Sequence, residues 1–212
     1  MLILPAIAPI TVLLIAVAYL LGSLSGRRLL MRLRGSADHA EASPAAPVPE
    51  IRRFTAALIA FDVGKAALAA WLALRYAPVG DALSVTAHGY VAAFAAVLGH
   101  VWPLWHRFRG GIATAALTGA LLVLWPTAAA AWLIAGLVVW LVSGHAGLSI
   151  VCGALALPLL GWWGGADPPR LWFAIAALSL LVLAHRGHLL RLWAGTEPRF
   201  ARARRLHRWR RR

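Results

Sequence analysis

Charged residues are scarce. They make up 13% of the 212 residues, about half of the roughly 25% typical of a soluble domain. So few cannot cover a globular surface of this size, which excludes a soluble enzyme and a disordered chain. Cysteine is nearly absent. Cys152 stands alone, so no intrachain disulfide forms and a secreted disulfide scaffold is excluded. Lysine is nearly absent too: Lys65 is the only one, and the other 20 basic residues are arginines. Acidic residues number 7 against 21 basic ones, a net charge of +14. Such a balance can point to nucleic acid. In a chain with mean hydropathy +0.75 and no recognised nucleic-acid module, a membrane surface is the fitting anionic partner. The chain has no G-x-S-x-G, no Walker loop and no dinucleotide fingerprint, so none of those chemistries is expected. Internal repeats and coiled-coil heptads are missing as well.

What the sequence does have is long apolar runs. A spanning helix needs about 20 mostly apolar residues. Ile3–Leu21 fits, without a basic leader and with Arg27, Arg28, Arg32 and Arg34 behind it. It reads as a retained first span rather than a cleaved signal. Phe54–Leu74 is a second span, Leu83–Leu98 a third, and Leu148–Trp163 and Leu171–Leu183 the last two. Between them, Ile112–Trp125 and Thr127–Val142 are short and meet at Pro126. They are two short spans or a re-entrant pair. The expectation is an all-α integral membrane bundle of about seven helices, or five if residues 112–142 do not cross.

The arginines set the orientation. With an outside start, 18 of the 20 fall on one face and only Arg75 and Arg170 on the other. The positive-inside rule makes the rich face cytoplasmic, with the N-terminus outside and the C-terminus inside. Most of the 11 tryptophans lie near expected span ends, with Trp132 the one placed deep. That is the distribution interfacial aromatic rings favour. Residues 1–198 read as one polytopic domain. Residues 199–212 read as an arginine-rich cytoplasmic tail that binds anionic headgroups, at ~1 kcal/mol per arginine near the surface.

Some polar residues need a reason to be there. Asp62 and Lys65 lie inside a span at i, i+3, so they pair with each other or face the bundle interior. A packing ion pair and a functional role are both open. Seven of the eight histidines fall on the arginine-rich side and only His88 on the other. His185 and His188 share a helix face. Carboxylates are few there and no second cysteine exists, so a phosphate-facing cluster with Arg186 fits better than a metal. Gly110-Gly111 opens an apolar helix, where backbone N–H groups can approach an anion. A plain tight turn is the alternative.

Several pieces occur in a telling order. Leu21-Gly22-Ser23 ends the first run and Arg34-Gly35-Ser36 follows. Then come Asp62-Val63-Gly64-Lys65, Leu98-Gly99-His100-Val101-Trp102-Pro103 and Phe108-Arg109-Gly110-Gly111. Ser149-Ile150 is next, and His185-Arg186-x-His188 runs into Ala194-Gly195-Thr196-Glu197-Pro198. Nearly the whole chain resembles the bacterial acyl-phosphate:glycerol-3-phosphate acyltransferases of the PlsY type. The GH-x-x-P…F-R-GG and HR-x-x-L-x-R-L-x-AGTEP stretches are the most specific parts.

The resemblance implies a bacterial plasma-membrane enzyme with a cytoplasmic active face. It transfers a fatty acyl group from acyl phosphate to the 1-hydroxyl of glycerol 3-phosphate, giving lysophosphatidic acid for phospholipid synthesis. It implies no metal and no cofactor. Ser36 and His185 are implied as catalytic residues. Arg52, Arg53, Gly110, Gly111, Thr114, Arg186 and His188 are implied as substrate-phosphate ligands. Departures from the family pattern are concentrated in its motifs. After Gly35-Ser36 the glycines and asparagines of the first motif are gone. Gly110-Gly111-Ile112-Ala113-Thr114 reads as Gly-Gly-Lys-Gly-Val-Ala-Thr with Lys-Gly deleted. His188 stands at the third motif's asparagine. The alternatives are a catalytically inactive relative that binds lipid or protein, and a small transporter with Asp62 and Lys65 on its path.

Overall fold

The computed structural model describes residues 9–26, 48–78, 80–108 and 110–198, with 48–54 and 106 described for the backbone only. Among them every regular element is helical. The helices are α1 (Pro9–Ser23), α2 (Val48–Arg75), α3 (Val85–Val101), α4 (Thr114–Leu124), α5 (Pro126–Ser143), α6 (Ala146–Ala154), α7 (Ala156–Trp163) and α8 (Pro168–Trp193). A 3₁₀ turn, Leu104–His106, follows α3.

Local chemistry sets several ends. The Ser84 hydroxyl accepts the Ala87 N–H and caps α3, satisfying a donor that the first turn leaves over. Pro126 opens α5, where its missing N–H costs nothing. Gly144 closes α5 at φ 77°, a left-handed conformation that a side chain disfavours.

Pair contacts fix the directions. Thr11 meets His88 near the starts of α1 and α3, and the Tyr19 hydroxyl donates to the Trp102 carbonyl near their ends, so these two helices run parallel. Lys65 meets His100, and Leu74 lies against Gly89, so α2 runs antiparallel to both. Arg170 donates to the Tyr90 hydroxyl at 3.1 Å, and Tyr90 also reaches Leu124, the last residue of α4. Hence α3 and α8 start at one end of the bundle, where α4 stops. The ends of α1, α3, α5 and α8 and the starts of α2, α4 and α6 gather at the other.

The core is built of small side chains. Ala66, Ala69, Ala70 and Ala73 of α2 are buried with Ala92, Ala93 and Ala96 of α3 and Ala116 and Ala120 of α4. Glycines bring backbones closer still. A Cβ on Gly22 would overlap the Ala96 carbonyl, one on Gly99 the Tyr19 carbonyl, and one on Gly119 the Val63 carbonyl. Small residues at crossings are how helices associate where lipid removes the hydrophobic drive between them. The outside is the reverse: Leu13, Ile134, Val142 and Leu159 are exposed, as in a chain solvated by hydrocarbon.

Among the described residues, three segments are long and apolar enough to cross a membrane: Thr55–Arg75, Pro126–Ser143 and Ala146–Trp163. A fourth follows if α8 counts as one bent span. Expected and observed boundaries differ most in the last two runs. The run 148–163 is one apolar stretch in sequence, yet it divides at Leu155 into α6 and α7. The last run continues past Leu183 to Trp193 and bends by 61° at His185. Of the short pair, α5 meets the length for a span, while the 11 residues of α4 reach only about 17 Å at 1.5 Å per residue.

Candidate functional site

Three parts of the sequence lie toward the end of the bundle where α3 and α8 finish. The loop between α3 and α4 folds back on α3. Gly110 N–H donates to the Val101 carbonyl and Gly111 N–H to the His100 carbonyl, each at 3.1 Å. These bonds satisfy carbonyls that the helix end leaves over. They also change the meaning of the two glycines. Their amides are committed to α3, which fits the plain tight turn that the sequence left open beside an anion cradle. What they supply is room: a Cβ on Gly111 would come within 2.5 Å of His100 Nε2. Arg107 and Phe108, just before, have φ of 52° and 58°, a conformation that costs energy in non-glycine residues. Thr114 donates its hydroxyl to Ile112 O at 3.3 Å and so closes its own turn.

Beside this loop is a buried ion pair. Lys65 Nζ lies 2.8 Å from Asp62 Oδ1. It also donates to Leu24 O at 2.8 Å and lies 3.0 Å from His100 Nδ1. The i, i+3 pair expected from the sequence is therefore formed, and it faces the bundle interior. It also ties the end of α1 to α3.

The third part is the bend of α8. His185 is buried at 1% exposure. Its Nδ1 lies 2.9 Å from Leu181 O. A carbonyl only accepts, so Nδ1 carries the proton and Nε2 keeps its lone pair. Nε2 is buried and has no hydrogen-bond partner among the described residues, an arrangement that fits a base awaiting a hydroxyl. The His188 ring lies 5.9 Å away. Arg186 is exposed.

Glu197 holds this corner. His188 Nδ1 donates to Glu197 Oε1 at 2.7 Å and Arg191 Nε to Oε2 at 2.8 Å. The bond from His188 does most to hold the carboxyl below the ordinary glutamate value, and Arg191 adds to it against desolvation. Thr196 and Glu197 N–H both donate to Arg191 O, so the Ala194–Pro198 turn wraps back on the helix. On the other side, Gly147 of α6 packs on His188, whose Cβ a methyl there would meet at 2.6 Å.

The sequence-derived site residues therefore divide. His185, Arg186 and His188 share one bend; Gly110, Gly111 and Thr114 share one loop. Arg52 and Arg53 lie in the first part of α2, residues 48–54, which is described for its backbone only, and Ser36 lies outside the described residues. Two groups were not singled out from sequence as parts of a site. One is His100, whose place beside Lys65 joins residues 35 apart. The other is at the opposite end, where Thr11, Asp81 and His88 form a buried cluster. Thr11 donates to Asp81, and His88 Nε2 lies 2.9 Å from Asp81 Oδ2. His88 being the lone histidine of its side was the available signal.

Comparison with known proteins bears on the family and the fold. A family model described as glycerol-3-phosphate acyltransferase matches residues 12–195. The chain is 39% identical to the glycerol-3-phosphate acyltransferase of Actinobacillus pleuropneumoniae serotype 5b, over 90% of this chain and 96% of that one. It is 34% identical to the Cronobacter sakazakii protein of the same name, over 92% of each. In fold it is similar to crystal structures of PlsY, an integral membrane glycerol 3-phosphate acyltransferase. The lysophosphatidic acid form gives a TM-score of 0.74 at 23% identity, covering 90% of this chain and 95% of that one. The glycerol 3-phosphate form gives 0.73 at 23% identity, covering 92% and 98%. With a family match across most of its length and relatives well above 30% identity, the chain belongs to the glycerol-3-phosphate acyltransferase family.

Proposed function

We propose that the protein transfers a fatty acyl group from acyl phosphate to the 1-hydroxyl of glycerol 3-phosphate, releasing phosphate and lysophosphatidic acid. The observation that carries this reading is the state of His185. Its Nδ1–H is held by Leu181 O and its buried Nε2 is left as a bare acceptor. The acceptor hydroxyl gives its proton to Nε2 as its oxygen bonds to the acyl carbon. The acyl–phosphate bond breaks and its electron pair leaves on phosphate. The donor is already activated, so the protein mainly positions two anions and balances developing charge. Arg186 and His188 stand beside the base to do so. Ser36, Arg52 and Arg53 complete the site in this reading, with Gly110, Gly111 and Thr114 shaping its loop.

The 18-arginine face is the cytoplasmic face of a bacterial plasma membrane in this reading, which puts the site where soluble glycerol 3-phosphate is. Residues 1–198 form the enzyme and 199–212 a tether to anionic headgroups. The test is acyl transfer by purified protein in detergent, from acyl phosphate to glycerol 3-phosphate. Product is expected, and His185→Ala is expected to remove it. No product from well-folded protein would return the reading to an inactive relative.

A further inference from the structure

The family pattern has a lysine after the two glycines of its second motif. Here that lysine is deleted, and Lys65 does not replace it. Its ammonium donates to Leu24 O at 2.8 Å, lies 3.0 Å from His100 Nδ1, and forms an ion pair with Asp62 Oδ1 at 2.8 Å.

The same contacts fix His100. An ammonium only donates, so His100 Nδ1 must accept and carries no proton. Asp62 Oδ1 lies 3.5 Å from that nitrogen, too far to compete with Lys65 at 3.0 Å. The neutral ring then has its one proton on Nε2. That nitrogen lies against Gly111, where a Cβ would come within 2.5 Å of it, and no acceptor for it occurs among the described residues. The amides of Gly110 and Gly111 are spent on Val101 O and His100 O. The loop therefore presents His100 Nε2–H where it presents no free glycine amide.

We propose that His100 Nε2–H is a phosphate-binding donor of this site, with its tautomer set by Lys65. The ligand class is a phosphate monoanion or dianion, the common group of acyl phosphate and glycerol 3-phosphate. His100 and His185 thus offer opposite functions from the same ring atom: Nε2 of His100 donates, and Nε2 of His185 accepts. The proposal rests on the acyltransferase reading for its purpose, but not for its test.

Two substitutions separate the ring's nitrogens. The Asn amide oxygen of His100→Asn sits where Nδ1 was, keeping the acceptor for Lys65 and losing the distal donor. The Gln amide nitrogen of His100→Gln sits where Nε2 was, keeping the donor and losing the acceptor. Binding of inorganic phosphate to the full-length protein in detergent is measured for each by calorimetry, beside thermal unfolding. His100→Asn is expected to weaken phosphate about tenfold or more, the loss of one hydrogen bond to a charged group. His100→Gln is expected to stay within about threefold of the parent. Equal binding by His100→Asn and the parent, weaker binding by His100→Gln than by His100→Asn, or no phosphate binding by the parent would each overturn the proposal. A parent that binds phosphate but makes no product would remove the acyltransferase reading and leave this one standing. In active protein, the substrate whose KM rises in His100→Asn is the one whose phosphate the ring holds.

Discussion

His185 and Lys65 show how one bond partner decides what a polar side chain can do. A carbonyl at Nδ1 turns His185 into a base at Nε2. His185→Ala is expected to lower kcat by 10²–10⁴-fold, the usual size of general-base catalysis, with circular dichroism unchanged. His185→Gln is expected to fail equally, because its amide nitrogen is a donor where an acceptor is needed. Lys65 is structural in a different sense. Its side chain is 4% exposed and its partner Asp62 19% exposed. Lys65→Met would leave the Asp62 carboxylate, 19% exposed, without its cation between packed helices. Breaking one side of such a pair costs about 3–5 kcal/mol, so a lowered melting temperature in detergent is expected. The double change Lys65→Met with Asp62→Leu is expected to regain most of that loss, because the cost lies in the unpaired charge.

At the scale of the element, two features carry expectations. The first is the glycine crossing of α1 and α3. Gly22→Leu has no space, since even a Cβ would overlap the Ala96 carbonyl. Overpacking of this kind costs typically about 1–3 kcal/mol, and the loss is expected in thermal unfolding. An outward change such as Leu13→Ala, at a residue exposed on the same helix, is expected to leave unfolding unchanged. The second is the turn Ala194–Pro198, held on α8 by Glu197. The folded carboxyl titrates below the ordinary value of 4.5, chiefly because His188 bonds to it. A depressed carboxylate stabilises the folded state fully above that ordinary value. The contribution is lost as pH falls from there through the folded pKa. Protease cleavage within the turn is therefore expected to appear on acidification below about pH 4.5, and Glu197→Gln is expected to show it at neutral pH.

The whole molecule has one orientation to test. Arg170 and His88 lie at one end of the bundle, His185 and His188 at the other. Cys152 is the only thiol, so Cys152→Ser gives a clean background for single cysteines. Arg186→Cys is expected to react with an impermeant reagent only after the cytoplasmic face is opened, and Arg170→Cys in intact spheroplasts. The reverse pattern would invert the arrangement read from the arginines. At this scale the comparison with solved structures bears on fold alone. Activity rests on the family and on the state of the site.

Apolar run length determined most of the architecture from sequence alone, because each spanning helix satisfies its own backbone and needs only composition to be recognised. The arginine distribution supplied an orientation for the same reason of solvent. The Asp62–Lys65 pair was legible because i, i+3 geometry is local. Motif order pointed to His185, Arg186 and His188 together. Tertiary structure decided what local rules cannot reach. Whether 148–163 stays one helix, and where the last helix bends, depends on packing against neighbours. Gly110 and Gly111 read as an anion cradle or a plain tight turn, since sequence shows where amides are and not what they bond. The protonation of His100 depends on a lysine 35 residues away, and that of His185 on a carbonyl one turn back. A histidine's function follows from which nitrogen is occupied, and only the fold assigns the occupant.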